Sequence, residues 1–201
     1  MPLPAHRLVA ALLLTLIAGL SGAQTTVLGQ AQGNNDYQEA TQLYRAGQPA
    51  KAMERVEAWL KSRPRDARGR FLKGMILVAQ KKTEEAVRLY TDLTQDFPEL
   101  PEPYNNLAVI LADQGDLDRA RGLLESAVRA NPAFIAAHEN LGDIHTRLAA
   151  HAYERALKLD PQNKVTAGKL KAVSELVPAR DRKSTRLNSS HIPLSRMPSS
   201  A

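Results

Sequence analysis

Imidazole and carboxylate side chains crowd one stretch of the sequence, as His138, Glu139, Asp143, His145 and His151. A zinc-hydrolase helix places two imidazoles one turn apart on one face, as His-Glu-x-x-His, with the glutamate as general base. Here His138-Glu139 opens the pattern, but the second histidine position is Gly142. The spacing therefore does not supply both ligands, and the three histidines are expected to be structural. A metal-binding or hydrolytic protein using His138, His145 and His151 stands as one alternative. Nucleophilic chemistry finds no better support. The chain of 201 residues has no cysteine, which excludes a thiol nucleophile, a disulfide and a thiolate metal site. There is no Gly-x-Ser-x-Gly, and Ser62, Ser126 and Ser174 have no histidine near them in sequence. Neither a P-loop nor a Gly-x-Gly-x-x-Gly turn occurs. The expectation is a protein that is not an enzyme and takes no cofactor or metal.

Charge excludes a further class. The net charge is +6, but Arg7, Arg182, Lys183, Arg186 and Arg196 lie in the terminal segments, which leaves +1 over residues 24–181. A near-neutral body has no field to hold a phosphate backbone, so no nucleic-acid partner is expected.

What positions these residues is an internal period. Pro64, Pro98 and Pro132 recur at one constant interval, and Ala52, Ala86 and Ala120 recur at the same interval. Residues 101–132 give the fullest unit: Tyr104, Leu107-Ala108, Leu111, Gly115, Ala120, Leu124, Ala127 and Pro132. A bulky residue comes first, then a Leu-small pair, a glycine turn, a small, an aliphatic and a small residue, and last a proline. This order resembles the tetratricopeptide (TPR) repeat, a helix–turn–helix unit of about 34 residues, which is also the interval of the prolines and alanines. The resemblance implies an all-α solenoid of such repeats in a short right-handed superhelix. Repeats are expected at about 36–64, 67–98 and 101–132, a shortened one at 135–161, and a capping helix at 164–178. In the first, helices run over about 36–46 and 49–62. In the second, Gly74 and Ala86 form the close-contact pair, and Lys81-Lys82 replaces the glycine turn. In the third, Asp116 is placed to cap the second helix.

The fourth repeat departs from the pattern. Gly142 and Ala149 stand seven places apart where the other repeats have twelve. The five missing residues are the turn, so a bent or continuous helix is expected over about 135–159. Its apolar stripe would be Leu141, Ile144, Leu148, Ala152, Ala156 and Leu159. Val165, Leu170, Val173 and Leu176 would then cover the last repeat.

The termini are of other kinds. Arg7, an apolar run from Leu8 to Leu20 with Thr15 inside it, and Ser21-Gly22-Ala23 resemble a secretory signal peptide over 1–23. The run is short of the ~20 residues a membrane-spanning helix needs. A periplasmic protein with no membrane insertion after cleavage is expected. Residues 24–35 read as a flexible leader. Residues 181–201 resemble the translation of a short-read sequencing adapter and are expected to be unstructured.

In TPR arrays the first helix of each repeat lines a concave groove, at its second, fifth, ninth, twelfth and thirteenth positions. By that resemblance the groove comprises Tyr37, Thr41 and Tyr44, then Arg68, Phe71, Met75 and Val78, then Asn105, Val109 and Ala112, then Glu139, Asp143 and Thr146. Aromatic and Met side chains would grip apolar groups of a protein or peptide partner, with Arg68 and Asn105 on its backbone or a carboxylate. The groove lysines of a carboxylate clamp are absent. The function implied is an interaction scaffold in the bacterial envelope. A homodimer through an open repeat face is the other alternative.

Overall fold

The computed structural model describes residues 36–176. The expectations for 1–23, 24–35 and 181–201 lie outside the described residues. Within them all regular structure is helical: α1 (36–45), α2 (Pro49–Ser62), α3 (Ala67–Ala79), α4 (Thr83–Asp96), α5 (Pro101–Asp113), α6 (Leu117–Ala130), α7 (Ile135–Leu159) and α8 (Lys164–Leu176). The chain forms two compact units, one ending at Pro64 and the other beginning at Arg65.

The first unit is the α1–α2 hairpin. Ala40 and Ala52 are both fully buried, since a methyl group is all that two closely crossing helices leave room for. Val56 and Trp59 extend the buried side of α2 at helical spacing, and the Trp59 ring lies 5.4 Å from that of Tyr37. The Arg63 guanidinium stands 4.2 Å over the indole, a cation–π contact. Arg55 reaches back to Asp36 at 3.5 Å and Glu39 at 3.2 Å, tying the outer faces together.

The second unit holds the other six helices. Asp66 starts α3: its carboxylate is fully buried and accepts from the Gly69 N–H at 2.7 Å, satisfying a donor the helix itself cannot. Asp116 does the same for α6 through the Arg119 N–H at 3.2 Å. Pro101 and Pro103 open α5, where a missing N–H costs little. The second helices bury one side each: Ala86, Tyr90 and Leu93 on α4, and Ala120, Leu124 and Ala127 on α6. These stand one and two periods after Ala52, Val56 and Trp59.

The period extends to the backbone of the turns. Gly47, Lys81 and Gly115 all have positive φ, at 70°, 61° and 87°. After each, an amide closes a 2.9 Å hydrogen bond onto the carbonyl five residues back: Gln48 to Leu43, Lys82 to Leu77 and Asp116 to Leu111. This is the Schellman helix end, which normally asks for glycine. Lys81 adopts it without one, so the turn that looked weakest in sequence has the same geometry as its neighbours.

Helix α5 lies at the centre of the unit. It packs on α4, α6 and α7, and every residue except Tyr104 and Asp113 is buried. Burial on three sides includes amides, which must then be satisfied within the protein. Asn140 Nδ2 donates to Asn105 Oδ1 at 2.7 Å, Asn105 Nδ2 to Asn106 Oδ1 at 3.4 Å, and Asn106 Nδ2 to the Tyr90 hydroxyl at 3.1 Å. The chain of bonds links α7, α5 and α4. Arg147 adds a bond to the Ala112 carbonyl, and the Tyr104 hydroxyl one to the Thr94 carbonyl.

With its turn missing, the fourth repeat is one helix of 25 residues. Its buried residues, Ala136, Ala137, Asn140 and Ile144, all fall in the first half. Of the expected stripe only Ile144 is buried; Ala152 and Ala156 are exposed and Leu159 is 89% exposed. The helix runs past the body that would have covered it. Helix α8 packs on α7 and is a partial cap: Leu170 and Val173 are half-buried, but Val165 and Leu176 are exposed, correcting the expectation for those two.

Two stability predictions follow from these contacts. Lys81→Gly should raise unfolding free energy by about 0.5–1 kcal/mol in urea titration, because a left-handed residue with a Cβ is strained by ~1–2 kcal/mol. Gly74→Ala should do the opposite. Its methyl would stand 2.6 Å from the Tyr90 ring, which Phe71 and the Asn106 amide hold in place. Overpacking of that kind costs ~1–3 kcal/mol and outweighs the ~1 kcal/mol gain in helix propensity.

Candidate partner-binding surface

The residues expected to line a groove divide three ways. On α1, Tyr37, Thr41 and Tyr44 share one side, at spacings of four and three, and all are half-buried. The Thr41 hydroxyl donates to the Tyr37 carbonyl at 2.9 Å, so it is already engaged by its own helix. On α3, the side bearing Phe71, Met75 and Val78 passes from interior to surface. Phe71 is fully buried with its ring 5.6 Å from Tyr90, Met75 is half-buried, and Val78 is 43% exposed. Arg68 is half-buried at the start of the same helix, 3.5 Å from Asp66. On α7, Glu139 and Asp143 are exposed, and the Thr146 hydroxyl donates to the Gly142 carbonyl at 2.9 Å.

Four expectations are corrected. Phe71, Asn105, Val109 and Ala112 do not line an open surface: Phe71, Asn105 and Ala112 are 0% exposed and Val109 is 8%. Phe71 fills the space between α3 and α4. Asn105 spends its amide on Asn140 and Asn106. Val109 and Ala112 lie on α5, whose neighbours on three sides leave almost no surface. In the second unit the members of the set that keep some surface thus fall into two groups, half-buried Arg68 and Met75 with exposed Val78 on α3, and exposed Glu139 and Asp143 on α7.

The histidines are also placed differently. His145 occupies a position whose counterparts, Leu77 and Leu111, are buried, and it is exposed because no second helix folds back over it; His138, whose counterparts Arg70 and Tyr104 are half-buried, is exposed as well. His138 Nε2 lies 2.9 Å from the Pro132 carbonyl. Among the described residues no three His, Asp or Glu side chains gather as metal ligands would.

Sequence reasoning missed two features. One is the amide chain, whose signal was present as Asn106 and Asn140 standing one full period apart. The other is a cleft of about 350 Å³ where the second half of α7 passes the start of α6, lined by Asp116, Asp118, Arg121, Leu148, His151 and Arg155 among others. It is polar and open, and Arg121 is committed to Asp118 at 3.3 Å and Glu125 at 3.8 Å. No local pattern could reveal it, since its walls come from two helices well separated in the chain. Among the described residues no helix is long and apolar enough to cross a membrane.

Comparison with known proteins agrees with this architecture. Two tetratricopeptide repeat family models match residues 37–101 and 77–144, together more than half of the chain. A chloroplast tetratricopeptide repeat domain-containing protein, PYG7 of Arabidopsis thaliana, is 32% identical over 104 residues. That match takes in 49% of this chain and 34% of the plant protein, so the chain spans about a third of that relative's length. Among solved structures, MamA (41-end) from Desulfovibrio magneticus superposes with a TM-score of 0.53 at 20% identity, covering 75% of this chain and 97% of that one. A complex of Naa15/Naa10 bound to HypK-THB gives 0.50 at 19% identity, covering 75% and 23%. The recurring helical hairpins, the shared period of core and turn, and the two family matches together place the chain in the tetratricopeptide repeat family.

Proposed function

We propose that this chain is a non-enzymatic adaptor of the bacterial envelope that binds a protein or peptide through the first helices of its repeats. Membership of the TPR family supports the coarser statement, a protein–protein interaction scaffold, because helical hairpins of this kind present surface rather than reactive groups. The envelope setting is supported by the signal-like sequence of residues 1–23. The observation that carries the reading is the surface left over once the core is complete. Val78 and Met75 keep apolar area on α3, while Glu139 keeps a carboxylate on α7. A partner with an apolar side chain fits the first of these, and a basic group fits the second.

The reading is tested by affinity capture from envelope extract of the source organism, comparing the chain with a Val78→Glu variant. A charge at an exposed position leaves folding intact, and burial of that charge at an interface is costly. The variant is expected to retain its unfolding midpoint and lose at least tenfold in capture of partners held by the parent. Equal capture by both would remove α3 from the binding surface. Phe71→Ala serves as the contrast: loss of a fully buried ring should cost ~3–5 kcal/mol of stability.

A further inference from the structure

Helix α8 meets α7 with one side. Thr166, Leu170, Val173 and Ser174 are half-buried there, and the Lys169 ammonium stands 6.0 Å over the Tyr153 ring. The opposite side presents Lys164, Val165, Gly168, Ala172, Glu175 and Leu176, which share it at helical spacing. All six are exposed, Val165 by 70% and Leu176 by 71%. A Cβ on Gly168 would find nothing within 4 Å.

These residues stand in a matched order. Lys164 pairs with Glu175, Val165 with Leu176 and Gly168 with Ala172, and all three pairs centre on position 170. Opposite charges thus lie at the two ends, an aliphatic residue lies beside each charge, and small residues lie in the middle. Lys164 and Glu175 are eleven positions apart, ~16 Å along a helix, so they cannot meet within one chain. Among the described residues neither has an ion-pair partner.

We propose that this side of α8 docks antiparallel on the same side of α8 in a second copy of the chain. A two-fold axis passing at position 170 sets Lys164 of each protomer against Glu175 of the other, and Val165 against Leu176. Each contact then forms twice, as a self-complementary interface requires. Gly168 and Ala172 fall where the helices cross, and their small side chains admit a close approach. The charges select this occupant and its direction. A parallel copy would set like charges against each other, whereas an antiparallel copy brings opposite charge to both ends at once. The two Lys171 side chains flank the axis on the outer edge, each with Glu175 one turn away on its own helix. The interface leaves α3 free, so it stands or falls apart from the partner surface there.

Charge reversal in the full chain, read by sedimentation equilibrium over a range of concentrations, tests the interface. The parent is expected to approach twice the mass of the 22.0 kDa chain as concentration rises. Lys164→Glu opposes two carboxylates at both ends of the interface, and Glu175→Lys opposes two ammonium groups. Either is expected to weaken self-association by about tenfold, since each turns two attractions into repulsions. In an equal mixture of the two variants every end contact is attractive again, and association as tight as the parent's is expected. That rescue also shows that both variants are folded. A parent that keeps the mass of one chain at all concentrations overturns the proposal. So does a single variant that associates as tightly as the parent, and so does a mixture no tighter than its components.

Discussion

Paired helices in this chain cross closely because the side chain at the crossing has been reduced to a methyl group or a hydrogen. Ala40 with Ala52, Gly74 with Ala86, and Ala108 with Ala120 are buried, one such pair in each complete hairpin. Any larger group would push the axes beyond the ~8–10 Å at which neighbouring side chains interdigitate. The rest of the core depends on that approach. Val56, Tyr90 and Leu124 are buried one turn further along because the small pair lets their helices come near. Where the small residues do not meet, at Gly142 and Ala149, burial on the second half of α7 stops.

Much of this was legible before the structure, and the reason is that it depends on short-range order. Helix limits follow from capping groups, prolines and turn residues, and the small positions follow from the period. The five-residue gap in the fourth repeat was enough to imply a continuous helix. Even Lys81, which broke the glycine pattern, sits in a turn whose hydrogen bonds match those after Gly47 and Gly115, since the packed helices on either side impose the path of the chain.

The surface was harder to see than the fold. Phe71, Met75 and Val78 share one side of α3, and a helical wheel treats them alike; their exposure runs from none at Phe71, against the Tyr90 ring of α4, to 43% at Val78. Asn105 looked like a groove amide from its position alone. Its burial is set by α4, α6 and α7 together, which no window of sequence contains. His138 and His145 erred the other way. The position of His145 belongs to the core of a hairpin, as Leu77 and Leu111 show, and the hairpin was never formed.

The amide chain from Asn140 through Asn105 and Asn106 to Tyr90 has a consequence for assembly. Repeats that resemble one another face an ambiguity, because apolar contacts alone would let a hairpin stack on the wrong neighbour at little loss. Directional bonds remove the degeneracy. Only the native succession gives each buried amide its donor or acceptor, and each one stranded by a misordered stack costs ~1–3 kcal/mol. The asparagines act as an address that tells each hairpin which one comes next.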